Sequence, residues 1–202
     1  MKISEIFHKY FIYDRRMSQL HNHILDIINN FNISQILDIG AGDGKIDSLI
    51  INDSNVKITG IDVLVRNDTY ISVEKYDGYH ISKPDNSVHT TMMIDVLHHT
   101  EKPELVLKEA VRVSKKYIII KDHLLHGRIS YAKLKAMDYV GNKHYGVDLP
   151  YNYMRSQVWA KMIKDNNLKL VYLKKDLNLY KGICHFLFDS NLHFIAVLEK
   201  KG

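Results

Sequence analysis

The spacing of hydrophobic residues along the chain predicts strands and helices that alternate. Between Arg15 and Phe31, apolar residues recur every three or four positions, which is typical of a helix with one buried face. Short runs rich in Ile, Leu and Val follow, and such runs are typical of buried strands. We predict seven strands, at Gln35–Asp38, Val56–Asp62, Thr69–Glu74, Val88–Asp95, Tyr117–Lys121, Leu168–Leu173 and Leu192–Leu198. This alternation is the pattern of an α/β protein.

The helices predicted between these strands each have an apolar face. Their expected buried positions are Ile46, Leu49, Ile50 and Ile51, then Leu105, Val106, Ala110 and Val113, and finally Val158, Trp159, Met162 and Ile163. A further helix is predicted from Ile129 to Tyr139, and Ser156 is a candidate cap for the helix after it. Six residues separate Asp62 from Thr69. Because a crossover helix does not fit there, we expect a loop or a single turn.

The N-terminal segment combines aromatic and basic residues. Phe7, Tyr10 and Phe11 stand among polar residues, which indicates a short helix or a flap that could cap a pocket. Arg15 and Arg16 follow at the start of the first predicted helix. Either arginine could reach a carboxylate, but we expect both to be solvated.

The composition predicts one folded domain over residues 1–202. Hydrophobic residues make up 46% of the chain and charged residues 25%, which is typical of a globular protein. No apolar run approaches the roughly 20 residues of a membrane span. Cys184 is the single cysteine, so an internal disulfide is excluded, and no Cys/His metal cluster is visible. We therefore expect a cytoplasmic protein without a membrane partner or a bound metal.

The net charge of +5 and the pI of about 9.0 would allow an anionic partner. The lysines are spread along the chain, and the densest groups lie at predicted element ends. We interpret the charge as a solvated surface and expect no nucleic-acid partner. The sequence does not indicate an oligomeric state.

Three alternate glycines, Gly40, Gly42 and Gly44, follow the first predicted strand and would turn the chain toward a helix. Glycine suits a turn with unusual backbone angles that a ligand must approach closely. Lys45 stands where the dinucleotide fingerprint G-x-G-x-x-G has its last glycine, which weakens a nicotinamide interpretation. Asp38 and Asp43 flank the turn and would repel a pyrophosphate. A ligand with cationic groups is therefore favoured.

A carboxylate ends the second predicted strand. Asp62 lies 18 residues beyond Gly44, where an acid can accept hydrogen bonds from both hydroxyls of a ribose. This position supports a nucleoside ligand, but it does not distinguish a dinucleotide from S-adenosylmethionine.

The run Leu-Asp-Ile-Gly-Ala-Gly-Asp-Gly, which ends at Gly44, closely resembles the first motif of the class I S-adenosylmethionine-dependent methyltransferases. The later Asp-Gly, Pro-Asp-x-Ser and Asp-Val-Leu-His-His motifs resemble a small-molecule branch of that family, similar to methyltransferase domain 11. The resemblance covers residues 35 to about 123 well. It implies a Rossmann-like, doubly wound sheet of seven strands, mostly parallel with an antiparallel last strand. It also implies a helical cap over residues 1–32 and an acceptor-site insertion over residues 124–155.

The resemblance also implies which residues hold the cofactor. In this interpretation Asp62 binds the ribose, Asp77 accepts the adenine amino group, and Asp95 lies near the methionine part. The full cofactor set is Asp38, Gly40, Ala41, Gly42, Asp43, Gly44, Asp62, Val63, Asp77, Gly78 and Asp95.

Four residues at predicted strand ends are candidates for catalysis. They are His98, His99, Asp122 and His123. A neutral histidine there could take a proton from an acceptor hydroxyl near pH 7, although such residues also serve only to tie a loop to a helix. Four tyrosines could form an aromatic acceptor site. They are Tyr139, Tyr145, Tyr151 and Tyr153.

These observations predict methyl transfer from S-adenosylmethionine to a small-molecule acceptor, with S-adenosylhomocysteine as the product. We expect O-methylation first and leave C-methylation open. Two alternatives stand beside it: methylation of an RNA or a protein, and a module that binds S-adenosylmethionine without catalysis. A nicotinamide oxidoreductase is the least favoured hypothesis.

Overall fold

The computed structural model describes residues 13–142, 149–189 and 191–201. The flap predicted from Phe7, Tyr10 and Phe11 and the acceptor-site residue Tyr145 lie outside these ranges. The helices are α1 (Asp14–Phe31), α2 (Lys45–Asn52), α3 (Pro103–Val113), α4 (Arg128–Asn142) and α5 (Ser156–Asp165). The strands are β1 (Gln35–Ile39), β2 (Lys57–Asp62), β3 (Val73–Lys75), β4 (Val88–Ile94), β5 (Ser114–His123), β6 (Leu168–Lys174) and β7 (His193–Lys200).

The seven strands form one sheet in the order β3-β2-β1-β4-β5-β7-β6. Strands β3, β2, β1, β4 and β5 pair in parallel, whereas β7 is antiparallel to both of its neighbours. The predicted fold, a Rossmann-like, mostly parallel seven-stranded sheet with an antiparallel last strand, is confirmed. The strand order reverses between β1 and β4, and open α/β sheets bind ligands outside the carboxyl ends of the strands at such a point.

Hydrophobic side chains cover both faces of the sheet. In β5, Ile118 and Ile120 belong to a core cluster with residues of α3 and α5, whereas Ile119 belongs to a second cluster with α1 and α2. This alternation follows from the two-residue repeat of a strand. Each fully buried isoleucine contributes roughly 1.5–3 kcal/mol to stability, so the two layers fix the sheet between its helices.

Three helical positions that were expected to be buried are exposed. Leu49, Leu105 and Val158 have 37%, 41% and 44% of their surface exposed, so these predictions were wrong. In α3 the buried stripe contains Val106 and Leu107, and Leu105 falls beside it. An apolar residue next to a buried stripe cannot be distinguished from a member of the stripe by sequence spacing alone.

Other element boundaries also differ from the prediction. Strand β3 has three residues instead of the predicted Thr69–Glu74, while β5 extends beyond the prediction at both ends. Ser156 makes no capping hydrogen bond. No helix lies between β2 and β3, which confirms the predicted loop. Among the described helices, none is long and apolar enough to cross a membrane.

Candidate cofactor and acceptor site

The glycine turn is confined by its neighbours. Gly40 and Gly44 have positive φ angles of 79° and 70°, in the region that favours glycine. A Cβ atom at Gly40 would lie 2.6 Å from Cγ2 of Val96, and one at Gly44 would lie 2.4 Å from Cγ1 of Ile71. Both distances are too short for carbon atoms. The turn from β1 into α2 therefore requires glycine at these two positions for packing as well as for conformation.

Asp62, at the end of β2, accepts a hydrogen bond from the glycine turn. Its Oδ2 atom accepts the backbone N–H of Gly42 at 2.8 Å, and its Oδ1 atom accepts that of Leu64 at 2.8 Å. Each carboxylate oxygen has a second lone pair, so both retain capacity to accept a hydroxyl. The structure thus places Asp62 next to the turn, and its ribose contact remains a prediction.

Asp38 of β1 is buried. It is 2% exposed and sits beside the fully buried Asp47 of α2. Burial, together with the neighbouring Asp47, raises the pKa of Asp38 well above its ordinary value. Burial also raises the pKa of Asp47, to about 6. The sequence argument counted Asp38 as a negative charge facing the ligand, and its burial removes that charge from the ligand side.

Asp43 is tied into the turn itself. Its Oδ1 atom accepts the N–H of Lys45 at 3.1 Å, at the start of α2. Its Oδ2 atom lies 3.5 Å from Nη1 of Arg66, in the loop after β2. The same guanidinium group lies over Gly42. The positive charge of Arg66 offsets the negative charge of Asp43. The turn therefore repels a phosphate less than the sequence suggests.

Asp77 and Gly78 follow β3 at the same sheet edge. The exposed Asp77 carboxylate accepts the N–H groups of Tyr79 and His80, at 2.8 and 2.6 Å, and these bonds lower its pKa. Gly78 has a φ of 89°, and a Cβ there would lie 3.2 Å from Cγ1 of Val63. Val63 and Gly78 are therefore close neighbours. The adenine contact of Asp77 remains a prediction.

Asp95 forms ion pairs with basic residues of two other elements. It follows β4 with a φ of 57° and forms ion pairs with Arg16 of α1 and with Lys121 of β5, the latter at 2.5 Å. Burial opposes ionisation of Asp95, but Lys121 and Arg16 outweigh it and hold its pKa well below the ordinary value. The expectation that Arg16 is solvated was wrong. Lys121 was missed, although a lysine in an otherwise apolar strand was a visible signal.

His98 lies between two carboxylates. Its Nδ1 atom is 2.6 Å from Oδ1 of Asp122, and its Nε2 atom is 3.4 Å from Oδ2 of Asp138 on α4. Tyr153 donates a hydrogen bond to the same Asp138 oxygen. Burial opposes the charged ring, but Asp122 and Asp138 outweigh it and raise the pKa of His98 to about 10. His98 is therefore protonated at neutral pH, which contradicts the prediction that it accepts a proton there.

His99 and His123 are the neutral histidines of the predicted set. Burial and then the charge of His98 lower the pKa of both rings, that of His99 to about 4. His123 Nδ1 lies 3.2 Å from His98 Nδ1 and 3.5 Å from Asp122 Oδ1. The structure thus brings all four predicted catalytic residues together.

Sequence reasoning missed two further members of this cluster. Asp138 comes from α4, and His193 comes from β7 with its Nδ1 atom 3.3 Å from Lys121 Nζ. Neither belongs to a recognisable motif. Of the tyrosines proposed to line the acceptor site, Tyr153 is buried against His98, whereas Tyr139 is exposed.

Comparisons with known proteins identify the family and similar folds. A family model described as a methyltransferase domain matches residues 8–173. The YcgJ protein from Bacillus subtilis superposes with a TM-score of 0.62 at 15% identity, covering 90% of this chain and 100% of that one. A magnesium protoporphyrin IX methyltransferase from Synechocystis, solved with bound S-adenosylhomocysteine, superposes with a TM-score of 0.61 at 11% identity, covering 91% and 83%.

A third solved structure is an S-adenosylmethionine-dependent methyltransferase from Aquifex aeolicus. Its TM-score is 0.57 at 17% identity, with 87% of this chain and 88% of that chain covered. No match was found among curated protein sequences. The structural likenesses show the fold, and the family model covers most of the chain. The chain therefore belongs to the methyltransferase-domain family that this model describes.

Proposed function

We propose that this methyltransferase uses S-adenosylmethionine and transfers its methyl group to a hydroxyl oxygen of a small-molecule acceptor. The glycine turn holds the cofactor, and Asp62 accepts hydrogen bonds from its ribose. Arg16 and Lys121 meet Asp95 at the end of β4, one of the two strands between which the order reverses, and the three residues provide both signs of charge for the zwitterionic methionine part. A neighbour with bound S-adenosylhomocysteine is consistent with this choice of cofactor.

The chemical step is an in-line displacement. The acceptor oxygen attacks the methyl carbon from about 3–3.5 Å, the carbon–sulfur bond breaks, and its electron pair returns to sulfur to give S-adenosylhomocysteine. The acceptor proton passes to the neutral His123 ring, which becomes an imidazolium ion. Asp122 lies 3.5 Å from His123 Nδ1 and stabilises that charge.

One observation carries this proposal. His123 Nδ1 lies 3.7 Å from Oδ1 of Asp95, a residue of the cofactor side, and within the His98–Asp122 cluster next to α4. A neutral imidazole thus lies between the predicted cofactor and the segment predicted to hold the acceptor. A proton acceptor for O-methylation has to occupy that position.

The test is a methyl-transfer screen with methyl-labelled S-adenosylmethionine against a small-molecule library, followed by mass analysis of the products. Labelled ethers or esters are the expected result. A product labelled on carbon would overturn O-methylation, and transfer only to RNA or protein would overturn the small-molecule acceptor. Cofactor binding with no transfer to any acceptor class would favour the non-catalytic alternative.

A further inference from the structure

The residues around His98 also form a set of metal ligands. One ring nitrogen each of His98 and His99 and one carboxylate oxygen of Asp138 lie within 4.8 Å of one another. Two imidazoles and one carboxylate are a ligand set that Zn²⁺ accepts readily, leaving a fourth position open. We propose that these three residues bind a divalent transition-metal ion that activates the acceptor hydroxyl, an inference that rests on the proposed function.

The proposed ligand atoms face one another in the interior. His99 Nδ1 is buried and makes no hydrogen bond with any residue that the structure describes. His98 Nε2 lies 3.4 Å from Oδ2 of Asp138, and an ion bound between these two atoms would replace the proton that they share. A buried polar atom without a partner costs about 1–3 kcal/mol. Because the rings of His98 and His99 have centroids 4.0 Å apart, the unpartnered His99 nitrogen indicates that a shared ligand belongs between the three side chains.

Asp122 and Tyr153 orient two of the proposed metal ligands by hydrogen bonds. Asp122 binds Nδ1 of His98 at 2.6 Å, which directs the Nε2 atom of that ring toward Asp138. Tyr153 donates a hydrogen bond to the Asp138 carboxylate. Metal-bound histidines commonly bind a carboxylate through the other ring nitrogen, and metal-bound carboxylates are themselves hydrogen-bonded. This arrangement therefore supplies the outer contacts of a metal site as well as its ligands.

A second group of possible ligands, formed by Asp95, His98, Asp122 and His123, is a weaker candidate. Asp95 already pairs with Arg16 and Lys121, and an ion there would face two positive charges. The position between His98, His99 and Asp138 has no lysine or arginine ion pair in the described structure. We therefore place the ion there.

The position of the site suggests its role. His98 and His99 follow β4, close to the cofactor side, while Asp138 belongs to α4 in the segment predicted to hold the acceptor. An acceptor oxygen in the open coordination position would have its pKa lowered by the ion. His99 then serves as a ligand and not as a base.

The experiment measures metal binding in the absence of cofactor and acceptor. Chelator-treated protein is titrated with Zn²⁺ alone by calorimetry, and the visible spectrum of the Co²⁺-loaded protein is recorded. We expect one ion per chain, a tetrahedral or five-coordinate Co²⁺ spectrum, and a loss of Zn²⁺ affinity of about 100-fold or more in His99→Ala and Asp138→Asn. His80→Ala is the matched control, since that histidine is exposed and pairs with Glu109 outside the site.

Two results would overturn the metal site. One is a wild-type protein that takes up no Zn²⁺ and shows no Co²⁺ spectrum, a result that does not depend on whether the variants fold. The other is Zn²⁺ uptake that is the same in His99→Ala and in His80→Ala. Titration of the same samples with S-adenosylmethionine keeps the proposals apart, because cofactor binding without metal binding would reject the ion and leave the proposed function standing.

Discussion

Replacing Asp47 with asparagine should stabilise the folded protein above about pH 6 and leave its stability nearly unchanged near pH 4. Asp47 is fully buried, and the only side chain that bears on its carboxyl group at close range among the described residues is the equally buried carboxyl of Asp38. Asp38 lies beside it, and the charge of Asp43 also acts on it. Asparagine has nearly the same shape and carries no charge at any pH.

The size of the effect follows from the pKa of Asp47, which burial raises from 3.8 to about 6. The unfolded chain releases this proton near pH 4, whereas the folded protein keeps it until about pH 6. The free energy of unfolding therefore carries no penalty from Asp47 below pH 4, and it decreases as the pH rises through 6. A shift of about two units corresponds to a loss of about 3 kcal/mol at pH 8, which the asparagine variant does not suffer.

Urea denaturation of both proteins at a series of pH values from about 4 to 8 measures this difference. Asp68→Asn is the control, because Asp68 is exposed and its substitution should change stability little at every pH. The difference in the free energy of unfolding between wild type and Asp47→Asn should grow with pH. Parallel curves, or an asparagine variant that is less stable at pH 8, would refute the argument that this buried pair opposes ionisation.

The remaining predictions concern the site. Asp62→Ala and Gly42→Val should each weaken S-adenosylmethionine binding in a protein that remains folded. Unchanged affinity of both variants in calorimetry would contradict the proposal that Asp62 and the glycine turn bind the cofactor. His123→Ala should lower turnover by roughly 10²–10⁴-fold with little change in cofactor affinity, and wild-type turnover in this variant would exclude the base. Lys121→Met should cost roughly 3 kcal/mol of stability, since it removes one partner of the buried Asp95 pair, and an unaltered melting curve would show that Arg16 alone suffices.

Much of the fold could be predicted from local patterns. The positive φ angles of Gly40 and Gly44 agree with the predicted turn, whereas the crowding by Val96 and Ile71 could not be read from local sequence. The missing helix between β2 and β3 follows from the length of that connection. The errors at Leu49, Leu105 and Val158 arose because spacing gives the direction of a side chain and not the packing partner that buries it.

The candidate site was predicted only in part. Asp62, Asp122 and His123 could be identified because each stands at the end of a predicted strand, and parallel strands place such ends at one edge of the sheet. The roles of these residues could not be identified in the same way. The charge of His98 depends on Asp122 and then on Asp138, which lie 24 and 40 residues further along the chain on two other elements.

The sequence by itself determined the alternating elements, the glycine turn after the first strand and the edge of the sheet where polar residues gather, because each depends on neighbours along the chain. Tertiary structure decided which side chains confine the turn and which groups carry charge. It buried Asp38 against Asp47, paired Arg16 and Lys121 with Asp95, and placed His98 between Asp122 and Asp138. Burial and the distance between charges fix a protonation state, and both exist only once distant segments have packed together.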